Sequence, residues 1–312
     1  MPDGELPEAK TNAFGFIARR AKRGCAAATI GARIRTQQMN TSQQQIAFIG
    51  GGNMASAIIG GLIRQGLGAS QITVVEPMAE AASRLQSTFG INVMPQAGPA
   101  LGSAGLVVWA VKPQVFREAA VPVAALTRTA LHLSVAAGIR TDSITAWLGS
   151  GRLVRSMPNT PALVGQGMTA LFACPQVSAA DKTLVEQVMG TTGQFLWVQQ
   201  ESQLDAVTAL SGSGPAYVFF FLEAMTEAGL AMGLSREQAY RLAVATFQGA
   251  SALAAASSEP PEVLRQRVTS RGGTTHAAIS SMEDSGVKAA FVRAMQAAEL
   301  RARELGDEFG KS

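Results

Sequence analysis

Through the first two thirds of the chain, apolar residues gather in short blocks separated by longer amphipathic stretches. The last third carries long apolar-faced runs instead. The blocks predict strands at 46–50, 72–76, 91–94, 106–111, 131–135, 152–156, 168–172 and 195–198, with helices between most of the first five. A β-then-α alternation of this kind predicts an α/β domain with a doubly wound, mostly parallel sheet. After about residue 203 the strand signals stop, and 203–232, 236–256, 260–269 and 274–305 read as helices rich in Ala, Leu, Met and Glu. Long apolar-faced helices in a terminal segment too small to bury them alone predict an all-helical dimerisation domain. The expected organisation is a poorly ordered N-terminal extension at 1–42, a sheet domain at 43–202 and a helical domain at 203–312.

Composition narrows the class. The 312 residues are 47% hydrophobic, enough for a real core and for about two domains. Thirty-two glycines and only 6% aromatic residues suit the close backbone packing of nucleotide-binding α/β folds better than a β-sandwich. The net charge of +4 is local: residues 1–38 hold seven basic and three acidic residues, and the remainder is neutral. No basic face for nucleic acid is expected. Residues 1–38 mimic an organellar transit peptide in composition, but Met39 reads as a natural start just before the first strand, so the extension is taken as dispensable. Cys25 and Cys174 form no CxxC pair. With two histidines they make no metal motif, which suggests reduced thiols in a cytoplasmic protein and no metal. The uncharged run 46–63 is interrupted by glycines and Asn53, so a strand–turn–helix is expected there and no membrane span.

That strand–turn–helix is the first chemical signal. In "IAFIGGGNMASAI", Gly50, Gly52 and Ala55 stand at G-x-G-x-x-A. Gly50 permits a tight turn, Gly52 lets a pyrophosphate approach the backbone, and Ala55 lets the helix lie close to the strand. The helix N-terminus favours the anion. The pattern is that of a Rossmann-like dinucleotide-binding domain. Glu76 ends the second strand, where its carboxylate can accept hydrogen bonds from the ribose hydroxyls of NADH and repel the 2′-phosphate of NADPH. "VVWAVKPQVF" and "LSVAAGI" end two further strands at the sheet edge where ligands bind. The backbone at Lys112 is expected to matter more than its amine.

Six blocks occur in order: "IAFIGGGNMASAI", "AVKPQ", "SVAAGI", "RSMPNTPALVGQGMTAL", "DAVTALSGSGPAYVFFFLEAM" and "LRQRVTSRGGTTHAAISSMED". Together they closely resemble the pyrroline-5-carboxylate reductase family over roughly residues 45–305, and the last two blocks are the most specific. The resemblance implies hydride transfer from NADPH or NADH to the C=N bond of 1-pyrroline-5-carboxylate, giving L-proline in the last step of proline biosynthesis. It implies a homodimer through the helical domain and often a ring of dimers. The cofactor residues it implies are Ile49, Gly50, Gly51, Gly52, Asn53, Met54, Glu76, Ala110, Val111, Lys112, Pro113, Val135, Ala136 and Ala137. The substrate residues are Ser270, Gly272, Gly273, Thr274 and Thr275. Ala97, Gly105 and Glu76 depart from the usual pattern and bear on cofactor preference.

Reducing a cyclic imine that bears a carboxylate needs a positioned hydride donor, an anion site and a partner for the ring nitrogen. "SRGGTTHAAI" offers glycine amides and a helix start for the carboxylate. Thr275 is the expected catalytic contact to the imine nitrogen, with an ordinary Thr N-cap as the alternative. His276 is expected to point away, and His132 to be a core histidine. Asn159 in "MPNTP" either contacts nicotinamide or ties its loop to its neighbours. "SGSGPAY" is expected to serve packing. A 3-hydroxyacid or 6-phosphogluconate-type dehydrogenase shares the plan, but such enzymes place a basic lysine after the corresponding turn. No lysine occurs here between Lys182 and Lys288. A catalytically silent dinucleotide-binding protein is opposed by the intact threonine segment.

Overall fold

The computed structural model describes residues 44–310. The expected extension at 1–42 therefore lies outside the described residues. Eight strands form one sheet: β1 Ile46–Ile49, β2 Ile72–Val75, β3 Asn92–Met94, β4 Leu106–Trp109, β5 Leu131–Ser134, β6 Leu153–Met157, β7 Gly167–Ala173 and β8 Gly193–Trp197. Each coincides with a strand expected from an apolar block. The order is β3-β2-β1-β4-β5-β6-β7-β8. β1 to β6 run parallel, β7 is antiparallel to β6, and β8 is parallel to β7. The hydrophobic pattern carries no information about strand direction, so the reversal at β7 is not visible in it.

Every residue of β1, β4 and β5 is buried, as strands covered on both faces must be. Helices α1 Asn53–Arg64, α2 Ala79–Phe89, α3 Phe116–Ala124, α4 Thr141–Leu148 and α5 Ala179–Met189 alternate with the strands. On one face of the sheet, Trp109 stacks on Phe116 at 4.8 Å, and Phe116 meets Trp147 at 5.7 Å. The Trp109 indole N–H donates to His132 Nδ1 at 3.1 Å. Burial holds the His132 imidazole down at about 4, against a smaller opposite effect of its hydrogen bond to the Thr127 backbone. It is the neutral core histidine that its apolar strand implies.

The helical region differs from its expected outline in two places. The helix expected over 203–232 is α6 Gln203–Val207, a π-turn at Thr208–Gly212 and α7 Gly214–Ala231. The Ser213 N–H reaches back to the Thr208 carbonyl at 2.8 Å, and Pro215 in the next turn has no N–H to give. Close approach adds to this, because a Cβ at Gly212 would collide with Met157 Cε at the end of β6. After α8 Arg236–Ala256 and α9 Pro261–Arg267, the helix expected over 274–305 is two, α10 Thr274–Asp284 and α11 Val287–Gly310. Gly286 breaks it at φ +66°, a left-handed conformation that stops a helix.

α7 and α8 lie close enough that a Cβ on Gly229 would stand 2.6 Å from the Ala239 Cβ. Few of these helices' residues are buried. Phe219, Phe220, Tyr240, Leu242, Leu253 and Leu300 are all more than half exposed. Among the described residues, no helix is long and apolar enough to cross a membrane.

Candidate functional site

The strand order reverses between β1 and β4, and the turns after these two strands meet there. Gly50 has φ +93°, and a Cβ on it would lie 2.7 Å from the Ala110 carbonyl oxygen. Only glycine satisfies both constraints. The Gly50 N–H donates to the Val75 carbonyl at 2.9 Å, and the Ala110 N–H to the Ile49 carbonyl at 2.8 Å, which fixes the three strand ends together. Gly52 is the N-cap of α1, with extended backbone and no side-chain cap. Nothing lies within 4 Å of a Cβ built on it. The first amides of α1 thus face open space beside a residue with no side chain, the arrangement a diphosphate needs.

Glu76 closes the other side of the turn. Its Oε2 accepts the Gly51 N–H at 2.8 Å and its Oε1 accepts the Met78 N–H at 2.9 Å, and the residue is only 8% exposed. A cavity of about 700 Å³ opens here, lined by Ile49–Gly52, Glu76 and Ala110–Lys112 among the expected residues. Met78, Glu80, Arg84, Ala97 and Glu118 also line it. Met78, Glu80 and Glu118 were not among the expected site residues, because side chains of the following helices carry no motif of their own.

Val135 is held against the β4 end, its N–H donating to the Trp109 carbonyl at 3.0 Å. The Ala136 N–H donates to Ser134 Oγ at 3.3 Å, and Ala137 is exposed at the tip of this turn. The Asn159 carboxamide has two structural partners: its oxygen accepts the Met168 N–H at 2.8 Å and its NH₂ donates to the Ser211 carbonyl at 3.1 Å. It ties the β6–β7 loop to the π-turn.

The threonine segment opens α10. Gly273 is the N-cap, again without a side-chain cap, and Thr274 and Thr275 are the first helical residues. Neither threonine is therefore the N-cap, and both hydroxyls are free of that duty. Ser270 folds under the turn: its carbonyl accepts the Gly273 N–H at 3.0 Å, and its Oγ stands 2.7 Å from where a Gly273 Cβ would be. His276 is exposed and lines a separate small cleft with Arg265 and Glu283. No residue of 203–310 lines the glycine-turn cavity.

A partly buried ionic network links α4 and β6 to the residues just before the helical region. Glu201 Oε1 accepts from Arg155 and from the Thr141 N–H, each at 2.7 Å, and Oε2 accepts the Thr141 hydroxyl at 2.5 Å. Nearby, burial pushes the Asp205 carboxyl up, with the guanidiniums of Arg155, Arg140 and Arg303 opposing it.

The switch-point turn, the uncapped helix start and the strand-end carboxylate define a Rossmann-type nicotinamide-dinucleotide oxidoreductase with a helical C-terminal region. Residues 201–305 match the family model described as pyrroline-5-carboxylate reductase dimerisation, and residues 45–138 the one described as NADP oxidoreductase, coenzyme F420-dependent. The chain is 46% identical to the pyrroline-5-carboxylate reductase of Pseudomonas aeruginosa, covering 86% of this chain and 100% of that one. It is 41% identical to that of Haemophilus influenzae, covering 83% and 97%. A pyrroline-5-carboxylate reductase structure from Coxiella burnetii superposes with TM-score 0.79 at 38% identity, covering 84% of this chain and 98% of that one. The Plasmodium falciparum pyrroline carboxylate reductase with NADP bound superposes with TM-score 0.76 at 27% identity, covering 84% and 98%. This chain belongs to the pyrroline-5-carboxylate reductase family.

Proposed function

We propose that this chain reduces 1-pyrroline-5-carboxylate to L-proline with NADPH or NADH, the last step of proline biosynthesis. The observation that carries the reading is 46% identity across the whole length of the Pseudomonas aeruginosa reductase. The bound dinucleotide supplies the hydride. The protein positions and encloses. Ile49–Met54 form the diphosphate cradle, with Gly52 leaving space and the α1 amides facing the anion. Ala110–Pro113 and Val135–Ala137 end β4 and β5 with backbone and small side chains, room for a flat ring. Asn159 supports this edge through its loop contacts.

Ser270 and Gly272–Thr275 hold the substrate. The free amides at the start of α10 favour its carboxylate, and the Thr275 hydroxyl meets the ring nitrogen. A protonated imine is already electrophilic, so orientation supplies most of what the reaction needs. The domains fall at 43–202 and 203–312. The chain acts as a homodimer through the exposed apolar helices, in keeping with the dimerisation match at 201–305. The second chain brings its threonine segment to the first chain's dinucleotide cradle. Larger rings of dimers and a cytoplasmic location belong to the same proposal.

Steady-state kinetics of two variants test the site. Thr275→Ala is expected to lower kcat/KM about tenfold or more, a loss of one transition-state contact. His276→Ala is expected to change it little, because the imidazole lines a different cleft. The reverse ranking would move the catalytic contact to the histidine.

A further inference from the structure

We propose that Glu76 makes this reductase prefer NADH to NADPH, and that the preference is built into the backbone around the glycine turn. The inference rests on the proposed function and adds a cofactor choice to it. Three features carry it. First, the carboxylate is fixed. One oxygen accepts the Gly51 N–H at 2.8 Å and the other the Met78 N–H at 2.9 Å, so the group cannot swing aside without giving up both. Each oxygen keeps acceptor capacity, which suits the hydroxyl donors of an unmodified ribose.

Second, the two residues directly after Glu76 offer a 2′-phosphate no free N–H, which leaves only the uncapped start of α2 as a backbone donor there. Pro77 has no N–H, and the Met78 N–H already points at Glu76. A phosphomonoester brings about −1.5 to −2 charges and only acceptor oxygens at neutral pH, so it meets a carboxylate where it needs donors. Third, the charges around the cavity do not compensate. Glu76, Glu80 and Glu118 line it against Arg84 and Lys112. Arg84 is exposed on α2, four residues after Glu80 on the same helical face.

The test is direct binding to the full-length protein, without the pyrroline substrate. NADH and NADPH are titrated against it, followed by ADP-ribose and its 2′-phosphate. Wild type is expected to bind NADH and ADP-ribose about tenfold or more tightly than the phosphorylated partners. Glu76→Ser, which removes the charge and frees the Met78 N–H, is expected to narrow that ratio about fivefold or more. Glu76→Asp is expected to keep the preference. Melting curves establish that each variant is folded, and if Glu76→Ser is not, the wild-type ratio decides alone. Equal or tighter NADPH binding by wild type overturns the proposal, as does an unchanged ratio in folded Glu76→Ser. Because binding is read without turnover, a failure here is distinct from a failure to reduce 1-pyrroline-5-carboxylate.

Discussion

Alanine at position 52 adds one methyl group to a place that the protein itself leaves empty. No atom lies within 4 Å of a Cβ built there, and the backbone, at φ −72° and ψ −169°, is open to any residue. Exchanging Gly for Ala at a helix N-cap costs about 0.5 kcal/mol, which moves the melting temperature of a chain this size by roughly 1–2 °C. Alanine at position 50 is a different perturbation. Its Cβ lies 2.7 Å from the Ala110 carbonyl oxygen, and its φ of +93° is in the left-handed region. The backbone conformation alone costs about 1–2 kcal/mol, and moving the end of β4 brings the total to roughly 2–4 kcal/mol. The assay pairs thermal melting with an NADH titration of the apoprotein. Gly52→Ala is expected to melt almost like wild type yet bind NADH about tenfold or more weakly. Gly50→Ala is expected to lose both stability and binding. A Gly52→Ala protein that binds NADH as tightly as wild type would refute the reasoning, since no diphosphate then passes over that residue. A Gly50→Ala protein as stable as wild type would refute the steric argument at the strand end.

Two further outcomes follow, one from the proposed dimer and one from the buried core. Co-refolded Gly52→Val and Thr275→Ala chains, each impaired alone, are expected to gain activity on mixing, because under the proposed two-chain site a mixed dimer would hold one site with both cradles intact. No recovery despite proven mixed dimers would place both cradles on one chain. His132 makes stability depend on pH: its imidazole takes a proton near 6.5 when unfolded and only at about 4 when folded. The native state therefore has this contribution in full above pH 6.5 and loses it as pH falls toward 4, by about 3 kcal/mol. Denaturant melts at pH 7 and pH 5 should show a smaller difference for His132→Gln than for wild type, and an equal difference would remove His132 as the cause.

The strands were legible because each is a short apolar block bounded by turn residues, too short for a helix, and the central ones β1, β4 and β5 are buried throughout. The glycine turn and the helix start at Thr274 were legible for a related reason: their geometry is local, set by residues a few positions apart. What could not be read depends on distance along the chain. Arg155 and Thr141 meet Glu201 from 46 and 60 residues away, and no local pattern announces that network. The long helices were merged because helical periodicity continues through the π-turn at Thr208–Gly212 and across Ser285–Gly286. Only a carbonyl freed by Pro215 and a left-handed glycine interrupt them. At Glu76 the sequence suggested the carboxylate, while the two backbone N–H groups that fix it emerged only from the fold.

The most direct measurement follows reduced-cofactor absorbance with purified protein, with and without 1-pyrroline-5-carboxylate, and quantifies the amino acid formed. The expected result is oxidation of NADH or NADPH only when the imine is present, with one L-proline formed per cofactor consumed. No turnover with either cofactor, or cofactor loss without proline, would contradict the assignment.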